Sequence, residues 1–110
     1  KAFVDEFEKK YGYLPSYYSE QSYDAIMLIN SAVKAVKGNL DDKKGLIAAM
    51  EKADFTWTRP NFHFNTNHIP IQNFYLFRVD KNAKDQYYRK VEATIFTNHK
   101  DAYYGECPMK

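Results

Sequence analysis

Cysteine, glycine and long apolar runs are scarce in this sequence, and each shortage excludes a class of protein. Cys107 is the only cysteine among 110 residues, so the chain has no internal disulfide and no cysteine pair to bind zinc. The four glycines are scattered, so no glycine-rich loop is available to hold a phosphate. No apolar stretch approaches the roughly 20 residues that cross a bilayer as a helix.

A surplus of charge of one sign is also missing. Sixteen Lys and Arg stand against 14 Asp and Glu, which gives a formal net charge of +2, and the two signs are mixed along the chain. Nucleic acid or an anionic membrane surface would require a basic patch, so we predict neither as a partner. What the chain does have is 45% hydrophobic and 17% aromatic residues, with ten tyrosines. This composition predicts one small folded unit with tyrosines partly on a contact surface.

Apolar residues with a 3.6-residue period predict three helices in the first half of the chain. Their expected ranges are about 2–11, 17–37 and 43–52. Gly12 and Gly38 are placed to end the first and second helices, and Ser16 to cap the start of the second. Asp41 and Asp42 put negative charge at the start of the third helix.

After the third helix the period changes to two. Short strands are predicted at 55–58 and 62–64, around a turn at 59–61. The segments 71–79 and 86–96 are predicted to form a hairpin across a polar loop. The predicted order is therefore three helices followed by strands and a hairpin over about 55–96.

Chemistry-bearing residues are sparse. His63 and His68 have no carboxylate or cysteine at a spacing typical of metal sites. The serines lack a nucleophile elbow, and Cys107 has no histidine nearby. We therefore predict no catalytic residues, no metal and no cofactor.

The segment 16–25 is the one stretch that suggests a binding site. Tyr17, Tyr18 and Gln21 lie at the predicted start of the second helix, where free backbone N–H groups favour an acidic ligand and the rings offer a stacking surface. The alternative is that Tyr17 and Tyr23 are core or edge residues and that Gln21 is a solvated neighbour.

An ordered set of residues across the chain carries a resemblance to a known family. The set is Phe3-Val4, Phe7, Tyr11-Gly12, Pro15-Ser16-Tyr17-Tyr18, Tyr23-Asp24-Ala25, Leu28, Ala32-Val33, Gly38, Leu46, Ala49-Met50, Ala53-Asp54-Phe55 and Phe62-His63-Phe64-Asn65. This order resembles the C-terminal third of type I periplasmic substrate-binding proteins, the extracellular ligand-binding receptors of branched-chain amino-acid type ABC transporters. The segments 65–68, 70–75 and 101–110 are similar to the subgroup that captures aromatic acids.

The resemblance implies a two-lobed periplasmic receptor that traps an aromatic acid or a branched-chain amino acid by hinge closure and delivers it to a membrane permease. Tyr18 matches an aromatic residue that borders the ligand in this family. Gln21 lies one helical turn further on, and its position beside Tyr18 implies a ligand contact as well. Many members of the family carry a glycine in the turn after the Ala-Asp-Phe segment, where this sequence has Arg59-Pro60-Asn61, so we expect a rearranged turn there.

The resemblance also implies a division of the chain. Residues 1–79 would form part of one α/β lobe, and 80–110 would be the hairpin and tail that return toward the hinge or the other lobe. This chain would then be the last part of a longer receptor, and any partner of Cys107 would lie in a missing segment or in another copy.

A different interpretation is an interaction module that forms a homodimer through the helix faces of 2–11 and 16–37.

Overall fold

Three helices are followed by a three-stranded antiparallel sheet in the computed structural model, which describes residues 2–107. The elements are α1 (Ala2–Tyr11), α2 (Tyr17–Ala35), α3 (Lys43–Lys52), β1 (His63–Phe64), β2 (Pro70–Lys81) and β3 (Tyr87–His99), and the strand order is β1-β2-β3. The predicted fold class is confirmed. Lys1 and the end of the predicted tail, 108–110, lie outside the described residues.

The helix boundaries follow local capping chemistry. Ser16 and Ser19 form a capping box, in which the Ser16 side chain accepts from the Ser19 backbone N–H at 3.2 Å. Asp42 caps α3 by accepting from the Gly45 backbone N–H at 2.9 Å. Helix α2 ends at Ala35, two residues earlier than predicted, because Lys37 already has a φ of +53°. Within residues 2–107, no helix combines the length and the apolar character needed to span a membrane.

The strand predicted at 55–58 is wrong, because the structure has irregular backbone there. The backbone N–H of Thr58 donates to the Asp24 carboxylate at 3.1 Å, so it is not free for a strand ladder. The aromatic side chains of this segment pack with Phe62, with ring centroids 4.2 Å apart for Phe55–Trp57 and 3.8 Å apart for Trp57–Phe62. A local aromatic cluster and a helix contact therefore replace the expected pairing.

The predicted hairpin is confirmed, and it is longer than expected. Strand β2 begins at Pro70, and β3 continues three residues beyond Phe96 to His99. Register shifts occur near Phe74 and Phe77. In the connecting loop, the Asn82 side chain accepts from the backbone N–H groups of Lys84 and Gln86, which holds the turn.

The described residues have a small core and a flat shape. Within 2–107, the buried hydrophobic residues are Ala32, Ala53, Phe62 and Ile71. The radius of gyration is 16.8 Å and the extents are 49 × 34 × 16 Å. A compact domain of this length would have a radius of gyration of about 13 Å. Helix α2 and the hairpin consequently expose large apolar side chains, among them Ile26, Ile29 and Leu76.

Asn61 provides a first test of the fold. It adopts a φ of +58°, so a left-handed residue is present in the 59–61 turn without a glycine. Asn61→Ala should lower the free energy of unfolding by about 1 kcal/mol, because an alanine side chain disfavours this conformation. Asn61→Gly is the matched variant and should be close to neutral in the same urea titration. An equal loss in both variants would contradict a backbone origin of the effect.

Glu8 on α1 gives a second test, through its contact with the hairpin loop. The Lys84 ammonium donates to Glu8 Oε1 at 2.7 Å, and this hydrogen bond holds the pKa of the Glu8 carboxyl below its ordinary value of 4.5. Because the folded-state pKa is depressed, the contact stabilises the fold above that ordinary value and is lost as the pH falls through the lowered pKa.

Lys84→Met should raise the Glu8 pKa toward its ordinary value, as measured by NMR titration of the carboxyl carbon. Lys81→Met is the control, since Lys81 lies on the same hairpin and pairs with Asp85 at 2.6 Å. A Glu8 pKa that is unchanged in the Lys84 variant would rule out this contact.

Candidate ligand cleft

A cavity of about 600 Å³ lies between the first turn of α2, the 58–60 loop and the β2–β3 hairpin. Its lining combines aromatic rings with cationic side chains. These are Tyr17, Phe74, Tyr75 and Phe77, together with Arg59 and Arg89. Glu20 contributes the one carboxylate of the lining, so two positive charges face one negative charge. Such a surface suits a ligand that has both an aromatic ring and an acidic group.

Tyr17 and Arg89 meet across the cavity from distant parts of the chain. The Ser16 cap fixes the start of α2 and so places Tyr17 at its first position. Antiparallel pairing of Val79 with Arg89 brings the arginine to the same place from β3. The Arg89 guanidinium carbon lies 5.7 Å from the centroid of the Tyr17 ring and 5.3 Å from that of Phe77. Arg89 is therefore positioned by cation–π contacts while it remains exposed.

A buried carboxylate lies behind the cavity. The Asp24 side chain is 1% exposed, and Asp24 accepts hydrogen bonds from the backbone N–H of Thr58 at 3.1 Å and from its hydroxyl at 2.7 Å. Arg59 Nε lies 3.5 Å from Asp24 Oδ2, and Arg59 Nη1 donates to Gln72 Oε1 at 2.8 Å. Helix α2, the 58–59 segment and strand β2 are thereby linked through one arginine.

Of the three residues predicted to bind ligand, Tyr17 lines the cavity and Tyr18 and Gln21 do not. Tyr17 lines the cavity and is 40% exposed. Tyr18 is 75% exposed, and its ring centroid lies 6.0 Å from that of Tyr17, on the solvent side of the helix start. Gln21 is half-buried and is not part of this lining. Tyr23 packs on Phe3 of α1, with ring centroids 4.8 Å apart.

Sequence reasoning missed Arg59, Phe77 and Arg89. Arg89 lies 72 positions after Tyr17, and only the strand register brings the two together. A usable signal was present: Arg89 precedes Val91 by two residues and so shares its face of β3, where a charge breaks an apolar pattern.

The histidines do not form a metal centre in the described part of the chain. His68 Nε2 lies 2.9 Å from Glu51 Oε1, and His63 Nδ1 lies 3.2 Å from the Asn61 carbonyl oxygen. Over residues 2–107, no group of three or more His, Cys, Asp or Glu side chains is arranged to hold a metal ion.

Comparison with known proteins identifies the family. Residues 1–85 match the family model described as periplasmic binding protein. The chain belongs to the periplasmic binding protein family. This confirms the resemblance drawn from the Tyr23-Asp24-Ala25 segment and its neighbours, and the family is one of binding proteins rather than enzymes. No curated protein matches the chain.

A solved structure is similar to nearly the whole chain. It is the crystal structure of an ABC transporter solute-binding protein from R. palustris in complex with benzoate. The two are 33% identical in sequence with a TM-score of 0.79, and the match covers 92% of this chain and 27% of that one. This chain thus spans about a quarter of the length of that binding protein.

Proposed function

We propose that this chain forms one wall of the ligand site in a periplasmic solute-binding component of an ABC transporter, and that the ligand is a small aromatic carboxylate. The observation that carries this proposal is the cavity in which Tyr17 and Phe77 flank the guanidinium of Arg89. The similar protein from R. palustris was crystallised with benzoate, which supports the same ligand class.

The cavity suits such a ligand for two reasons. Aromatic rings favour tilted or offset contact with other rings, and Tyr17 and Phe77 present partly exposed faces for it. A guanidinium binds a carboxylate through two parallel hydrogen bonds, and an arginine held over aromatic rings loses little freedom when it does so. The predicted Tyr18 and Gln21 would then lie at the rim of the site, where Tyr18 could cover a bound ring.

Capture would proceed by hinge closure. In this proposal the cavity between α2, the 58–60 loop and the hairpin is one wall of the ligand site, and the rest of the receptor would supply the opposite wall. In this proposal residues 1–79 belong to one lobe, and 80–110 return toward the hinge or the other lobe. Contacts made only in the closed form would provide the affinity, and the closed receptor would be recognised by the membrane permease.

The test is a calorimetric titration of benzoate into the receptor that contains this chain. Arg89→Gln should weaken binding by tenfold or more, because the carboxylate loses a charge-assisted hydrogen bond. The matched control is Arg78→Gln on the same hairpin, since Arg78 pairs with Glu92 at 2.6 Å and lies outside the cavity lining. The control should stay within twofold of the unsubstituted receptor. Equal affinities in both variants would reject this cavity as the site.

A further inference from the structure

The Asp24 carboxylate is a buried charge that the proposed function leaves unexplained. A carboxylate that is 1% exposed in the middle of α2 loses its hydration, and this cost must be offset by hydrogen bonds or an opposite charge. Within residues 2–107, the hydrogen-bond donors and the cation that contact this carboxylate belong to two consecutive residues, Thr58 and Arg59. The carboxylate therefore acts on one short segment, and that segment borders the cavity.

The Arg59 side chain is held from three directions. Asp24 Oδ2 lies 3.5 Å from Nε, Gln72 accepts from Nη1 at 2.8 Å, and the guanidinium carbon lies 4.2 Å from the centroid of the Phe62 ring. The side chain is 20% exposed, and these contacts restrict its guanidinium at the cavity wall. Arg89, in contrast, is exposed.

The ion pair between Asp24 and Arg59 is not an optimal salt bridge. Within residues 2–107, Arg59 Nε is buried and has no hydrogen-bond partner, because it lies 3.5 Å from Asp24 Oδ2, close enough for an ion pair but without hydrogen-bond geometry. Buried pairs of this kind are often no more stabilising than apolar residues of similar size, so stability alone does not account for the arrangement. The Asp24 ion pair and the Gln72 hydrogen bond engage different nitrogen atoms of the guanidinium and so restrict its direction.

We propose that Asp24 is a positioning residue which holds Arg59 so that its guanidinium, together with Arg89, binds the ligand's carboxylate and gives the site its preference for acids over neutral analogues. This role rests on the proposed function. Asp24 also carries a negative charge that would repel the ligand, so the proposal requires the gain from orientation to exceed this repulsion.

The experiment compares benzoate with benzamide, a neutral analogue of the same shape, on the receptor that contains this chain. Arg59→Gln should reduce the ratio of benzoate to benzamide affinity by tenfold or more, because benzoate loses a charge-assisted hydrogen bond whereas benzamide loses a weaker, neutral one. Asp24→Asn should reduce the same ratio by about tenfold, since it releases Arg59 without altering the cavity lining. Asp54→Asn is the charge-matched control, because Asp54 is exposed and pairs with Lys52, and it should leave the ratio unchanged.

The outcomes separate this role from the proposed function. If the unsubstituted receptor binds benzoate and Asp24→Asn leaves the affinity ratio unchanged, Asp24 only stabilises the fold. If Asp24→Asn binds benzoate more tightly, repulsion by the Asp24 charge dominates. Either result overturns the positioning role alone. Failure of the unsubstituted receptor to bind benzoate overturns the proposed function and this role together. If Asp24→Asn does not fold, Thr58→Val removes one donor to Asp24 and should lower the ratio at least threefold. An unchanged ratio there also overturns the role.

Discussion

The 110-residue chain alone is expected to bind benzoate no more tightly than millimolar, whereas the receptor that contains it should bind in the micromolar range. A small-molecule site normally encloses most of its ligand, and in the proposed function this chain supplies one wall of such a site. A thousandfold loss corresponds to about 4 kcal/mol of binding free energy, which is the contribution expected from the opposite wall and from closure.

Isothermal titration calorimetry of both proteins checks this expectation under one set of conditions. Circular dichroism of the isolated chain is the necessary control, because helices α1 to α3 must be formed for the comparison to be valid. Micromolar affinity of the isolated chain would contradict the two-walled site, and it would place the whole binding surface on α2 and the hairpin.

Local chemistry made the helices predictable. Gly12 and Gly38 adopt the left-handed conformations expected of residues that end a helix, and Ser16 caps α2 as its position in the sequence predicts. The hairpin was predictable as well, because alternation over β2 and β3 is long and the loop between them is polar. Each of these signals lies within a few residues of the structure that it specifies.

The segment 55–58 shows where local signals fail. Its alternating residues favour a strand, but the backbone N–H and the hydroxyl of Thr58 donate to Asp24, which lies 34 positions away. No local pattern indicates that the carboxylate of the Tyr23-Asp24-Ala25 segment turns inward. The family resemblance includes this segment, and the structure gives Asp24 a physical role in linking α2 to the cavity wall.

Only part of the candidate site could be predicted, because local signals are visible in the sequence and tertiary contacts are not. Tyr17 was found because a capped helix start with aromatic residues is visible within ten residues of sequence. Arg59 and Arg89 join it only through tertiary contacts, one by way of Asp24 and Gln72 and the other by way of the register between Val79 and β3. Charge placement in this cleft is thus a property of the fold and cannot be derived from the Tyr17 segment.

The isolated chain is also expected to self-associate. Ile26 and Ile29 lie on one face of α2 and are 65% and 51% exposed, and the hairpin exposes further apolar side chains such as Leu76. Burying these surfaces between two copies would remove apolar area from water at about 25 cal/mol per Å². Sedimentation velocity should therefore show dimers or larger species that dissociate on dilution.

Charged substitutions test which surface drives this association. Ile26→Lys combined with Ile29→Lys should shift the isolated chain to a monomer, because two charges would have to be buried in the contact. The matched control is Ala83→Lys combined with Ala102→Lys, which adds the same charge at exposed turn positions and should leave the association unchanged. A compact monomer at high concentration without any substitution would contradict self-association. Association that persists in the Ile26 and Ile29 variant would move the contact to the hairpin.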